Sequence, residues 1–142
     1  MADTTADIPD ALIFLRRQHS QATYVDVNPN FKLGTSDLVY NGDAILAAIR
    51  NLFRCPIGAR GRIFNPEFGS MLYHLLQEPY DDLTAERIEA STYMAIQTWE
   101  PRVNVRSVNV VRDDNLPGYR ITVFLEIIAT GKALNSTFEV PI

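Results

Sequence analysis

Apolar residues recur at helical spacing in three parts of the chain, each bounded by turn residues or prolines. The turn at residues 41–43 precedes a helix that we expect to run to about Arg54. A second helix is predicted over residues 70–77, and Thr84 can cap a third helix that runs to Trp99. Their core-facing positions are Ile45, Ile49, Leu52 and Phe53 in the first helix, Leu72, Leu75 and Leu76 in the second, and Ile88, Met94, Ala95 and Trp99 in the third.

The C-terminal third of the chain shows the alternation that is typical of strands. The apolar positions of residues 103–110 change phase across Arg106, which predicts a β-bulge. Residues 119–130 carry apolar side chains on both faces and are therefore expected to form the central strand. Residues 136–142 form a last strand, and its Pro141 indicates an edge of the sheet.

The N-terminal part divides into an extension and the start of a domain. Residues 1–21 form the extension, in which a polar, acidic beginning is followed by a short amphipathic stretch at 8–18. We expect this extension to be partly disordered or ordered by a partner. Residues 22–142 are expected to form one domain that opens with extended runs at 24–27 and 38–40. The order of elements predicts an α+β fold: a small antiparallel sheet, about three helices packed on one side of it, and a C-terminal β-hairpin.

Composition is that of a single compact domain and argues against several functional classes. The chain has 142 residues, 46% hydrophobic and 21% charged, which are ordinary values for a globular protein. Its formal net charge of −4 does not favour nucleic acid or an anionic membrane as a partner. The single cysteine, Cys55, excludes an internal disulfide, and no apolar run approaches the roughly 18 residues of a membrane span. We therefore expect assembly in the cytoplasm.

The charges are segregated along the chain. A window without carboxylates, which we call the arginine island, contains Arg50, Arg54, Arg60 and Arg62. Residues 67–100 then contain seven acidic residues and a single basic one, Arg87. Two interpretations follow: the two sets neutralise each other within the fold, or the arginine island docks a charged partner.

Candidate catalytic and metal-binding residues are few. His19 and His74 lie far apart, without cysteines or a His-Glu spacing around them, so we predict no metal site. Ser70, His74 and Glu78 would share a helical face and are the residue types of a hydrolase triad. The polar face of an amphipathic helix explains the same residues, and a serine at a helix start more often caps backbone N–H groups. We therefore predict no catalytic residues, no cofactor and no small-molecule substrate.

Glu100, Pro101 and Arg102 break local rules where the third predicted helix ends. A carboxylate at a helix C-terminus faces orphan carbonyls and the negative end of the helix dipole, which costs roughly 0.3–1 kcal/mol. Pro101 bends the chain, and Arg102 begins a strand. Either Glu100 and Arg102 pair with each other and brace this corner, or the rigid corner presents them to another chain.

This Glu-Pro-Arg corner resembles the signature of the gp25-like family of contractile-tail baseplate wedge proteins. Four other blocks of the chain are also similar to that family and occur in the same order and spacing as in the family. The resemblance covers about residues 22–130. The blocks are Tyr24-Val25-Asp26-Val27-Asn28-Pro29-Asn30-Phe31, Asn41-Gly42-Asp43-Ala44-Ile45, residues 58–62 with Asn65-Pro66-Glu67-Phe68-Gly69-Ser70, and Glu78-Pro79 with Leu83-Thr84. The tripeptide alone is a weak signal, whereas four blocks in the right order are specific.

The resemblance implies a structural role without enzymatic activity in the baseplate of a phage virion or related injection system, assembled in the host cytoplasm. Glu100, Pro101 and Arg102 would contact the helical bundle of the other wedge proteins. The protein would also initiate the tail sheath by offering strands that the first sheath ring extends. Some family members have carried a lysozyme label, so a tail-associated cell-wall hydrolase is the alternative function.

The last predicted strand supports the initiating role independently of the resemblance. Phe138, Val140 and Ile142 alternate near the chain end, with few charges to protect a free edge. We predict that these residues, in the hairpin formed by 119–130 and 136–142, mark the template to which the sheath adds a strand. A nucleic-acid-binding module that uses the arginine island and a generic interaction domain are further alternatives.

Overall fold

The computed structural model describes residues 23–27, 38–59, 65–113 and 117–142. The elements in these ranges are β1 (Val25–Val27), β2 (Leu38–Tyr40), α1 (Gly42–Arg54), α2 (Leu72–Leu75), α3 (Asp82–Trp99), β3 (Val103–Arg112), β4 (Gly118–Ile127) and β5 (Ala133–Pro141). The chain divides into two compact units, Met1–Ala47 and Ala48–Ile142. The predicted α+β class is confirmed, while the amphipathic stretch predicted at 8–18 lies outside the described residues.

In the N-terminal unit, Asn41 joins a two-stranded antiparallel sheet, β1 and β2, to the start of α1. Its φ of 49° is a left-handed conformation that asparagine tolerates better than most residues. Its backbone N–H donates to Tyr24 O at 2.8 Å, and its Oδ1 accepts a hydrogen bond from Thr23 N at 2.9 Å. The turn predicted at residues 41–43 is therefore confirmed.

In the C-terminal unit, β3, β4 and β5 form an antiparallel sheet with β4 in the centre. The register between β3 and β4 shifts between Val105 and Ser107, so the predicted bulge and the predicted central strand are both confirmed. Alternate residues of β4 from Ile121 to Ile127 are buried, whereas Phe124 on the other face is 42% exposed. The strand that contains Pro141 is an edge strand, as predicted.

The buried face of the sheet is covered by helices. α3 packs against β3, and α2 contacts α3. Ile88, Thr92 and Ile96 supply the buried stripe of α3. The prediction that Met94 belongs to this stripe is wrong: it falls on the opposite side of the helix and is 62% exposed.

The second helix is shorter than predicted. α2 has four residues, instead of extending over 70–77. The following N–H groups of Gln77 and Glu78 bond carbonyls three residues back, which is the tighter geometry in which helices often end. Pro79 also disfavours the helical conformation for the residue before it.

The third helix starts earlier than predicted. Asp81, not Thr84, is its N-cap, because the Asp81 side chain accepts a hydrogen bond from Thr84 N at 2.7 Å. Thr84 is a buried residue of the first turn. Both residue types cap helices well, so local preference did not distinguish between them.

Candidate interaction surfaces

The Glu-Pro-Arg corner is held together by an internal ion pair. Glu100 is the C-cap of α3, and its N–H donates to Ile96 O at 2.8 Å. Arg102 Nε donates to Glu100 Oε1 and Arg102 Nη2 donates to Oε2, both at 2.5 Å. Such bidentate pairs are among the strongest hydrogen-bonded contacts of a carboxylate. Glu100 is 5% exposed, and the cation next to it offsets the cost of burying a carboxylate at the negative end of a helix.

Of the two alternatives for this corner, the internal brace is the one present in the structure. The side chain of Arg102 keeps 27% of its exposure, against 6% for Glu100. The pair therefore reaches the protein surface through the arginine. Contact of Glu100, Pro101 and Arg102 with a wedge partner stays a prediction.

A glycine-dependent bridge positions the chain next to the corner. The backbone around Ser70 bridges to the loop after α1, and Ser70 N donates to Cys55 O at 2.8 Å. Gly69 has a φ of 138°, and a Cβ at this position would lie 2.5 Å from Cys55 O, so a side chain does not fit without displacement of the bridge. Phe68 packs edge-on against Trp99, with ring centroids 5.3 Å apart.

An apolar groove of about 290 Å³, which we call the α3 groove, lies beside the end of this helix. Its lining consists of Ile57, Gly69, Met71, Ser91, Met94, Ala95, Thr98 and Trp99. Ser91, Ala95 and Thr98 recur on one helical face, where small side chains leave room for another element to approach. Met71 and Met94 are 44% and 62% exposed, and methionines repack easily around a partner.

The arginine island is described only in part, since Arg60 and Arg62 lie outside the described residues. Within the described ranges, Arg50 and Arg54 form no ion pair with a carboxylate. Three of the seven acidic residues of the 67–100 segment form ion pairs with other arginines: Glu78 with Arg87, Asp82 with Arg112, and Glu100 with Arg102. Neutralisation by the acidic residues of the 67–100 segment therefore does not explain the charges of Arg50 and Arg54.

Arg50 and Arg54 line a second groove, of about 390 Å³, which we call the β5 groove. The rest of its lining is Phe53, Leu72, Thr137, Phe138, Glu139, Val140 and Pro141. Phe53, Leu72 and Phe138 are buried, and the Phe53 and Phe138 rings meet edge-on with centroids 5.1 Å apart. The groove therefore joins part of the arginine island to the last strand, two features that are far apart in the sequence.

Within the described residues, β5 has one edge paired with β4 and one free edge. In an antiparallel pair, residues that bond the partner strand alternate with residues that point away from it. Ile127 N donates to Lys132 O at 2.9 Å, which assigns Lys132 and every second residue after it to the paired edge. Ile142 N donates to Pro117 O at 3.1 Å, in agreement with that alternation. The backbone groups that point outward belong to Ala133, Asn135, Thr137, Glu139 and Pro141.

The predicted strand-addition residues lie between these outward-facing positions. Phe138 is 7% exposed, Val140 is half-buried, and Ile142 is exposed just after the end of β5. Their backbone groups face β4, so the groups that could receive another strand belong to the alternate residues. Side-chain alternation identifies the strand, but only the register with β4 identifies these groups.

The Ser70, His74 and Glu78 line has ordinary structural contacts. Ser70 is 1% exposed, and its Oγ accepts a hydrogen bond from Leu72 N at 3.1 Å, although the N-cap of α2 is Met71. His74 is exposed, and Glu78 pairs with Arg87. In the part of the chain that the structure describes, no three His, Cys, Asp or Glu residues are placed to hold a metal ion. No helix in that part is long and apolar enough to cross a membrane.

Comparison with known proteins agrees with the resemblance seen in the sequence. The family model described as baseplate wedge protein gp25 matches residues 41–135. Baseplate protein W of Escherichia phage P2 is 31% identical over 121 residues, which cover 84% of this chain and 97% of that protein. Baseplate wedge protein gp25 of Enterobacteria phage T4 is 30% identical over 89 residues, which cover 62% of this chain and 67% of that protein.

A solved structure of a Geobacter sulfurreducens protein, provisionally named a tail lysozyme, has a similar fold, with a TM-score of 0.67. Its identity to this chain is 21%, and the alignment covers 76% of this chain and 96% of that one; this likeness concerns the fold alone. The family match and the two relatives show that the chain belongs to the gp25-like family of baseplate wedge proteins. It is a structural protein of a contractile-tail baseplate.

Proposed function

We propose that this protein connects two parts of the tail without catalysing a reaction. It docks on the helical bundle of the other wedge proteins near the Glu-Pro-Arg corner, and it initiates the sheath by pairing β5 with a strand of the first sheath ring. The partners are therefore proteins, not nucleic acid, a membrane or a small-molecule substrate. The free edge of β5 is the observation that carries the proposal.

β5 has the properties of a strand that receives another strand. It has nine residues, and its outward N–H groups belong to Ala133, Asn135, Thr137 and Glu139. Natural edge strands are usually blocked by lysines, prolines or bulges. β5 contains no lysine, and its one proline is its last residue. An added strand can therefore pair along most of β5 without disturbing its bonds to β4.

A single outward N–H group tests this role. Thr137→Pro removes an outward backbone N–H without breaking a hydrogen bond to β4. Thr137→Val keeps this N–H, and both variants lose the threonine hydroxyl. Baseplates that carry Thr137→Pro should retain the protein and polymerise little sheath, and those with Thr137→Val should polymerise it normally. Electron microscopy of assembled particles gives the result, after each variant is shown to melt cooperatively. Sheath of normal length on Thr137→Pro baseplates would overturn the proposal.

Wedge docking is assigned to the surface around the corner. Arg102 reaches the surface there, and the α3 groove adjoins Trp99 with its exposed Met71 and Met94. Glu100 is buried, so its part is to hold Arg102 and the bend in place. A partner helix in the α3 groove would cover apolar surface that is otherwise exposed to water.

Co-purification with the neighbouring wedge proteins tests the docking surface. Folded Arg102→Ala and Met94→Glu variants should lose binding, because one removes the surface cation and the other places a charge in an apolar contact. Leu83→Glu is the matched control, since Leu83 is 64% exposed at the other end of α3. Equal binding by all three variants would move the docking surface to the arginine island.

A tail-associated cell-wall hydrolase remains the alternative, because a protein with a similar fold is provisionally named a tail lysozyme. The structural contacts of Ser70, His74 and Glu78 favour the non-enzymatic proposal. Clearing of a purified peptidoglycan suspension by the folded protein, above the buffer rate, would establish the alternative. No clearing is the result that the proposed function predicts.

A further inference from the structure

We propose that the β5 groove selects an acidic strand. The segment that pairs with β5 carries a carboxylate opposite Phe138 or Val140, and this carboxylate binds Arg50 and Arg54. The inference rests on the proposed function and goes further, because it specifies the chemistry of the strand that β5 receives.

The charge of the groove is the first argument. Arg50 and Arg54 lie one turn apart on the same face of α1, and both line the groove. Within the described residues, no carboxylate pairs with either of them. Arg50 lies 6.0 Å from the centroid of the Phe138 ring, a contact that does not use the N–H donors of the guanidinium. Two cations thus lie beside a free strand edge, and no carboxylate in the described part of the chain pairs with them.

Glu139 lines the groove but does not neutralise these arginines. It lies opposite Arg120 in the register of β4 and β5, and its Oε1 is 3.8 Å from Arg120 Nε. Side chains alternate between the faces of a sheet, so Glu139 lies on the face opposite to Phe138 and Val140. No described residue supplies the negative charge that matches Arg50 and Arg54, so we assign this charge to the added strand.

Strand pairing identifies the position of the complementary charge. Residues directly opposite each other in neighbouring strands have side chains on the same face of the sheet. A strand bonded to the outward groups of Thr137 and Glu139 therefore places its residues opposite Phe138 and Val140 on the face where Phe138 contacts Phe53 and Arg50. A carboxylate at either place can meet a guanidinium in the bidentate geometry that arginine favours over lysine.

The test uses the full chain in assembled baseplates and the tail sheath subunit as the probe. In the variant Arg50→Glu/Arg54→Glu, we expect the amount of sheath subunit bound to the baseplates to fall roughly tenfold or more. The reason is that hydrogen bonds between charged groups are replaced by repulsion. Arg50→Lys/Arg54→Lys should retain more sheath subunit than the reversed variant and less than the wild type, because it keeps both charges but loses the bidentate geometry. Arg106→Glu, an exposed arginine of β3, is the control and should leave binding unchanged.

Salt and charge exchange add two independent readouts. Binding to the wild type should weaken between about 50 and about 500 mM NaCl more steeply than residual binding to the reversed variant. Replacing the acidic residue of the sheath strand by lysine should abolish binding to the wild type and restore binding to the reversed variant. Arg54→Glu alone, at an exposed position, serves the same test if the double variant does not melt cooperatively.

Thr137→Pro separates this inference from the proposed function. If Thr137→Pro abolishes sheath binding and charge reversal at Arg50 and Arg54 does not, the acidic-strand inference is wrong and the role of the β5 edge stands. If neither change reduces binding, the proposed function fails as well. If charge reversal abolishes binding of a short DNA duplex and leaves sheath binding unchanged, the groove binds nucleic acid and the inference is overturned.

Discussion

At the scale of single residues, Glu100 shows how a local cost is offset by a neighbour. The dipole of α3 disfavours a carboxylate at its C-terminus by roughly 0.3–1 kcal/mol. The bidentate contact with Arg102 supplies the compensating charge. An ion pair of this kind adds little net stability compared with an apolar contact, but loss of one partner leaves an uncompensated charge.

Removing Arg102 alone should therefore destabilise the protein more than removing both partners of the pair. Arg102→Ala leaves Glu100 charged and buried, and we expect it to lower the free energy of unfolding by about 3 kcal/mol. The double variant Glu100→Ala/Arg102→Ala should be more stable than Arg102→Ala alone, as measured by urea denaturation. Additive single-variant effects would show that the pair does not brace the corner.

Substitution by alanine should destabilise the protein far more at Gly69 than at Gly58, although both glycines have a positive φ. A Cβ at Gly69 would lie 2.5 Å from Cys55 O, whereas nothing lies within 4 Å of a Cβ at Gly58. Gly58→Ala should cost about 1 kcal/mol, from backbone conformation alone. Gly69→Ala should cost at least about 3 kcal/mol, because it also displaces the bridge. Urea denaturation of the two variants gives the comparison, and similar losses would contradict it.

The Asp81 cap should make stability depend on acid pH. Backbone and side-chain hydrogen bonds from Thr84 lower the pKa of Asp81 below its usual value. A carboxyl whose pKa is lowered by folding stabilises the folded protein above about pH 4, and this contribution disappears as the pH falls through the folded-state pKa. The melting temperature of the wild type should therefore exceed that of Asp81→Asn at about pH 7. This difference in melting temperature should shrink as the pH falls towards about pH 2. A difference that is constant over this range would exclude the effect.

At the scale of elements, local pattern determined which segments form strands but not what their edges offer. Alternation predicted the bulge near Arg106, and Pro141 indicated an edge, because both are local properties. The outward N–H groups depend on register, which the turn between β4 and β5 and the pairing itself determine. The assignment of Met94 to the buried side of α3 failed for a related reason, since helical periodicity alone did not fix which stripe faces the sheet.

Hydrogen exchange should distinguish the two edges of β5. In the isolated protein, the Phe138 N–H bonds to β4 and should exchange at least roughly tenfold more slowly than the outward N–H groups of Thr137 and Glu139. Nuclear magnetic resonance of the labelled chain resolves these amides. Equal exchange of neighbouring amides along β5 would contradict the assigned register.

At the scale of the whole molecule, the fold class was predictable and the surfaces were not. The α+β class follows from periodicity and turn residues such as Asn41, which act locally. The β5 groove brings Arg50 beside Phe138, and no local pattern reports that proximity. The family was recognisable because motif order is a property of the sequence, whereas free edges and apolar grooves depend on tertiary packing.

We propose that sheath assembly begins on the free edge of β5. Electron cryomicroscopy of the assembled baseplate with its first sheath ring tests it most directly. We expect a sheath strand beside β5, bonded to the backbone of Thr137 and Glu139, with a carboxylate near Arg50 and Arg54. A sheath ring attached to another face, with the β5 edge uncovered, would contradict it.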